Sequence, residues 1–194
     1  NEDIYWNLNK REVAILEPVI KNMGICSLLY SFPAEPYRSI IKYLASYSHK
    51  ENYIIKPDDS ETRTFLHDIP VISNFTPEDI IIALKKRKGV LTKEGAIIAQ
   101  GPMSPEQAFV IFSSICFASF VKFMADYYYH KKNLIKMHRD VDSIAWEAIN
   151  WYQTFLDKKI LTLLISYPKS WFAPIKLSPF SASIETETID WMTQ

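Results

Sequence analysis

The stretch FLHDIPVISNFTPEDIIIALKKRKGVLTKEGAIIAQGPMSPEQAF, Phe65 to Phe109, decides the fold of this chain. It spells strand, helix, strand, turn, strand and helix start in one unbroken run. IPVIS (Ile69 to Ser73) is apolar and rich in β-branched residues, as a strand inside a sheet requires. FTPED then opens a helix: Thr76 stands at the N-cap, Pro77 at the first helical position, and Glu78 and Asp79 face the positive end of the helix dipole. Phe75 and Ile80 are spaced for a hydrophobic staple. KKRKG closes the helix, with Gly89 read as its stop. GVLTK and AIIAQ read as two strands around Glu94-Gly95, and Ser104, Pro105 and Gln107 spell a capping box for the next helix.

Working outward, REVAILEPVIK (Arg11 to Lys21) reads as a helix with Val13, Leu16, Val19 and Ile20 apolar, which Pro18 kinks or ends. ICSLLYS (Ile25 to Ser31) reads as a buried strand after Gly24, and AEPYRSIIKYLASY (Ala34 to Tyr47) as an amphipathic helix that leaves Arg38 and Lys42 outside. NYIIK (Asn52 to Lys56) is a strand, and PDDSETR (Pro57 to Arg63) a loop or poorly ordered insertion. The helix after Pro102 carries Phe109, Phe112, Cys116, Phe120 and Phe123 at three- and four-residue steps, with Val110, Ile111 and Ile115 widening the stripe. Such a helix needs cover on two sides; a sheet on one side and another subunit on the other would supply it. Asp142 to Ser166 reads as a further long helix capped by Asp142 or Ser143. Beyond it Trp171, Phe172, Phe180 and Trp191 lie among Pro168, Pro174 and Pro179 without periodicity, as in an extended arm.

Composition excludes several function classes. Of the 194 residues, 48% are hydrophobic and 23% charged, the balance of a soluble globular domain. Lysine plus arginine equal aspartate plus glutamate at 22 each, so no long-range field favours nucleic acid. The basic runs Lys85 to Lys88 and His130 to Lys132 fall at helix ends, where they complement the dipole. AFVIFSSICFASFV (Ala108 to Val121) is shorter than a membrane span and is closed by Lys122, so a buried helix is expected and no membrane span. Only four glycines occur, Gly24, Gly89, Gly95 and Gly101, so no phosphate-cradling loop is present. Cys26 and Cys116 read as buried reduced thiols and point to the cytoplasm; no signal peptide is visible.

The quoted words resemble the class II aldolase and adducin head family. LLYSFP (Leu28 to Pro33) is similar to that family's strand ending in His-Thr-His-Pro. FLHDIPVISNFTPEDIIIALKKRKGVLTKEG resembles its run from an Ile-Pro-Val strand through a helix to Arg-Gly-His-Gly, and AIIAQGPMSPEQAF its next strand and closing helix. The resemblance covers Glu12 to Tyr129 and leaves the family's glycine-rich N-terminal part without a counterpart. It implies an α/β fold, three layers α/β/α around a mixed sheet, over residues 1–140, with a helical C-terminal extension over 141–194.

In that family three histidines hold a divalent metal that polarises a carbonyl. The resemblance places Tyr30, Phe32 and Glu94 at those positions. Phenylalanine donates nothing to a metal, a lone tyrosine rarely binds zinc, and one carboxylate falls short of three protein ligands. Neither metal nor other cofactor is expected, and no catalytic residue is assigned. His49, His67, His130 and His138 have no metal-ligand spacing, and His67-Asp68 is the best local acid-base pair, against the plainer reading of an exposed loop histidine. The chain therefore reads as a non-catalytic, pseudoenzyme-like assembly or interaction subunit that pairs with itself, as a homo-oligomer, or with a related subunit. Trp171, Phe172, Phe180 and Trp191 are its candidate anchors. The alternative is a metal-dependent aldolase or epimerase of a small sugar phosphate, its site completed by another chain or an upstream segment.

Overall fold

A computed structural model describes residues 4–46, 53–136 and 140–155. Eleven elements follow in the described residues: α1 (Lys10–Met23), β1 (Ser27–Ser31), α2 (Tyr37–Ser46), β2 (Ile54–Ile55), α3 (Ser60–Leu66), β3 (Ile69–Ile72), α4 (Pro77–Lys86), β4 (Gly89–Thr92), β5 (Ile97–Gly101), α5 (Pro105–Lys132) and α6 (Val141–Phe155). The chain divides into a unit Asn1–Ala145 and a unit Trp146–Gln194. In the first, five strands form a mixed sheet in the order β1-β5-β4-β3-β2. β3 and β4 pair in parallel, whereas β5 runs antiparallel to both β4 and β1. Hence β1, β3 and β4 all point the same way, and their carboxyl ends share one edge of the domain.

Helices cover both faces, so the three-layer α/β/α architecture is present. On one face α1 packs on α4, and both lie on the sheet. Leu16 and Val19 from α1, Ile80 and Leu84 from α4, and Ile72, Val90 and Ile98 from the strands form one buried cluster. Each such side chain contributes about 1.5–3 kcal/mol on leaving water. On the other face α5 lies across β5, β1 and β4, and α2 and α3 pack on α5 in turn. Tyr37 meets Phe120 and Tyr43 meets Phe123 edge to face, with centroids 6.3 and 5.5 Å apart.

The starts of α1 and α4 follow their local signals closely. Asn9 and Glu12 form a reciprocal capping box on α1, which runs through Pro18 and closes at Gly24 in the left-handed region, φ 61°. Thr76 caps α4 by accepting from the Asp79 amide at 3.3 Å, and Phe75 joins the cluster around Ile80 as a staple should.

Other expectations need correction. PDDSETR is not a loop throughout: Asp59 accepts from the Thr62 amide at 2.8 Å and starts α3. α2 begins at Tyr37 rather than Ala34. β1 is half-buried at the sheet edge rather than fully buried. Gly89 does not stop α4, which ends at Arg87 in extended backbone. It is instead the first residue of β4, where a β-carbon would sit 2.5 Å from Ile115 of α5. Ser104 makes no side-chain cap; Gln107 accepts from the Met103 amide instead. Phe109 is 63% exposed, because the buried face of α5 runs through Ala108, Ile111, Ile115 and Cys116. α6 starts at Val141, ahead of the expected caps. Cys26 is exposed, whereas Cys116 is buried.

α5 outruns the apolar stretch that suggested it. By length and composition it could cross a membrane, and 56% of its most apolar window is buried inside the protein. Lys122 interrupts that surface by pairing with Asp126 at 2.7 Å and Asp58 at 3.3 Å. Burial alone would pull its ammonium pKa down, but the two carboxylates hold it above the ordinary lysine value. Tyr127 donates to Asp142 at 3.0 Å and accepts from Lys131 at 2.9 Å, tying the end of α5 to the start of α6.

Candidate functional site

The carboxyl ends of β1, β3 and β4 gather the positions that the resemblance singled out. Tyr30 lies one residue before the end of β1 and Phe32 just beyond it, Phe75 follows β3, and Glu94 sits in the β4–β5 turn. That turn is tight. Gly95 adopts φ 88°, and its amide donates to the Thr92 carbonyl at 3.0 Å. Any β-carbon at Gly95 would press on the Lys42 backbone of α2, 3.1 Å away, so the turn is held close under that helix.

Tyr30 is the centre of an aromatic group. Its ring stacks on Phe75 with centroids 5.1 Å apart and meets the Phe32 ring at 6.4 Å and 64°. The Arg38 guanidinium lies 5.5 Å from the Phe32 centroid as a cation on a π face. Burial raises the Tyr30 phenol pKa above its ordinary value; the Glu12 and Glu94 carboxylates add to the rise, and Arg11 opposes it. Tyr30 is therefore a neutral phenol at ordinary pH.

These residues do not fit a divalent metal. A neutral phenol is a poor ligand, Phe32 has no donor atom, and Glu94 supplies a single carboxylate. Among the described residues no three His, Cys, Asp or Glu side chains gather as an ion would need. Tyr30 and Phe32 are brought together and Glu94 lies within electrostatic reach. Phe75, Arg38 and Glu12 complete the group without having been singled out for it. Phe75 carried only a staple signal and Arg38 only that of a solvated helix face.

Elsewhere, the candidate groups are structural. His67 is exposed at the end of α3 with φ 64°, and Asp68 turns away from it to accept two bonds from Arg87 at 2.6 and 2.7 Å. The His67-Asp68 acid-base pair is thus not assembled. Burial pushes the Cys116 thiol up to about 12, so it is no nucleophile at neutral pH. His49, His138, Trp171, Phe172, Phe180 and Trp191 lie outside the described residues.

Layer order, sheet direction and the placement of this edge define an α/β domain of the class II aldolase fold. The crystal structure of L-fuculose-1-phosphate aldolase from Thermus thermophilus is similar at a TM-score of 0.52, over 66% of this chain and 67% of that one. Sequence identity is 15%, so the likeness speaks for the fold alone. No family model matches the sequence, and a comparison with curated proteins finds no match.

Proposed function

We propose that this domain keeps a class II aldolase-like skeleton for assembly and interaction, without metal-dependent aldol chemistry. The observation that carries this reading is the chemistry of one strand end. Where such a reaction needs a Lewis acid held by three donors, Tyr30 stacks on Phe75 and Phe32 carries the Arg38 guanidinium on its face. Aromatic side chains with a polar tip anchor interfaces as readily as cores. The reading assigns the chain a homo-oligomer or a related subunit as partner, with a cytoplasmic setting and the sequence-derived anchors Trp171, Phe172, Phe180 and Trp191.

Two measurements on the whole chain test it. Metal analysis after purification with zinc and manganese present is expected to find substoichiometric metal. Sedimentation velocity is expected to give a defined oligomer that Trp171→Ser with Phe172→Ser weakens. One firmly held divalent ion per chain, together with cleavage of a sugar phosphate, would return the chain to the enzymes. A monomer at every concentration would remove the assembly reading.

A further inference from the structure

At the carboxyl end of β1 an aromatic group adjoins the turn that carries Glu94, and among the described residues no metal-ligand set is gathered. Phe32 is 41% exposed, and Tyr30 lies between it and Phe75. Glu94 is exposed in the adjoining turn and enters no ion pair among the described residues. The Glu12 carboxylate accepts from the Asn9 amide at 3.4 Å, its one hydrogen bond among the described residues. β1 and β5 pair with Ser31 opposite Ile97, which brings the turn carrying Glu94 beside the end of β1, and after burial both carboxylates raise the Tyr30 pKa.

A π face carries the negative part of the ring quadrupole, so rings and carboxylates here attract the same kind of partner. A bare metal ion would find no donor set. An ammonium with an alkyl shell satisfies both halves: its carbons cover the rings, and its charge meets the carboxylate. The protein already places one cation on this surface, Arg38 over Phe32 at 5.5 Å. Arg38 already occupies the Phe32 face, so a cation binding there must displace it.

We propose that this strand end binds an organic cation, an alkylated ammonium head group, on Phe32 and Tyr30 with Glu94 as counter-charge, in competition with Arg38. The inference rests on the reading that no divalent ion occupies the same edge.

The test is an NMR titration of the full chain with choline and with its uncharged tert-butyl analogue, each with and without EDTA. Choline is expected to shift the Tyr30 and Phe75 resonances saturably, and the analogue to bind at least about tenfold more weakly. Glu94→Gln and Phe32→Leu should each weaken choline about tenfold. Arg38→Gln should tighten it, which a general surface effect would not do. Equal binding of the uncharged analogue overturns the proposal. So does the absence of saturation, or an Arg38→Gln variant that binds no better. Choline binding that emerges only with EDTA would support the cation site while overturning the metal-free reading, so the two failures are distinguishable.

Discussion

The two edges of the sheet differ in how far their polar groups are tied into the structure. At the amino ends of β3 and β4, Gln100, Arg87 with Asp68, and Ser27 each have a structural task. Gln100, buried in β5, donates to the Leu84 carbonyl at 2.9 Å and the Arg87 carbonyl at 3.0 Å, closing the end of α4. Arg87 reaches back to Asp68 with two bonds, and that pairing raises its guanidinium pKa. Ser27 donates to the Ser104 carbonyl at 3.1 Å, holding β1 to the start of α5. At the carboxyl ends Thr92 accepts from the Ala96 amide and Asp79 from Asn74, but Glu94 is exposed without an ion pair and the Tyr30 hydroxyl has no hydrogen bond among the described residues. Buried polar groups are costly unless paired, whereas groups near water are free to meet a ligand. The difference teaches where stability is concentrated and where a binding surface has room.

Substitutions at the two edges should separate accordingly. The largest effect is expected from Gly101→Ala at the amino edge, where a β-carbon would overlap the Ser104 carbonyl and the Ser27 hydroxyl. Because backbone must shift, destabilisation of about 3 kcal/mol is expected in urea unfolding, read from the midpoint at unchanged slope. A loss under about 1 kcal/mol would mean that this edge yields easily, and the contrast would weaken.

Gln100→Leu comes next, at about 2 kcal/mol, because it leaves two helix-end carbonyls without their shared donor. Hydrogen exchange should speed first at the last turn of α4; uniform speeding would point to a packing defect instead.

Smaller effects compare two unpaired hydroxyls. Ser119 is fully buried on α5 and its hydroxyl has no partner among the described residues, so Ser119→Ala should stabilise by about 1 kcal/mol. Tyr30→Phe at the half-buried carboxyl edge should change stability by no more than about 0.5 kcal/mol. A large loss there would reveal a structural bond to Tyr30 and break the contrast.

Alkaline pH adds a check on α5. The folded Cys116 thiol sits at about 12 against an ordinary value of 9.0, so the folded state disfavours the thiolate. Its contribution is present below pH 9.0 and is lost progressively as pH rises toward 12. Replacing Cys116 with Ala should flatten the fall in stability over that window, measured by urea midpoints. An unchanged slope would mean that the thiol is not shielded.

Legibility was greatest where the signal and its effect lie within one helical turn. Thr76, Pro77, Glu78 and Asp79 set the start of α4 because a cap acts on amides two or three residues away. The IPVI strand and the pair around Glu94-Gly95 were legible for a similar reason, since apolar runs and a tight turn are local. The missed α3 hides behind a polar composition, because its Asp59 cap is a single residue in a run that also spells a loop. The exposed Phe109 was misplaced because α5 is apolar nearly all round, so periodicity cannot choose its buried face.

By itself, then, the sequence determined most element types, the start of α4 and the residue types at Tyr30, Phe32 and Glu94. These are properties of single residues and their near neighbours. Only the tertiary structure decided that β1 pairs with β5, that Gly89 serves α5, and that Tyr30 stands between Phe32 and Phe75. Contacts between residues far apart in the chain form because whole faces bury together, and that choice is made among surfaces rather than within any one segment.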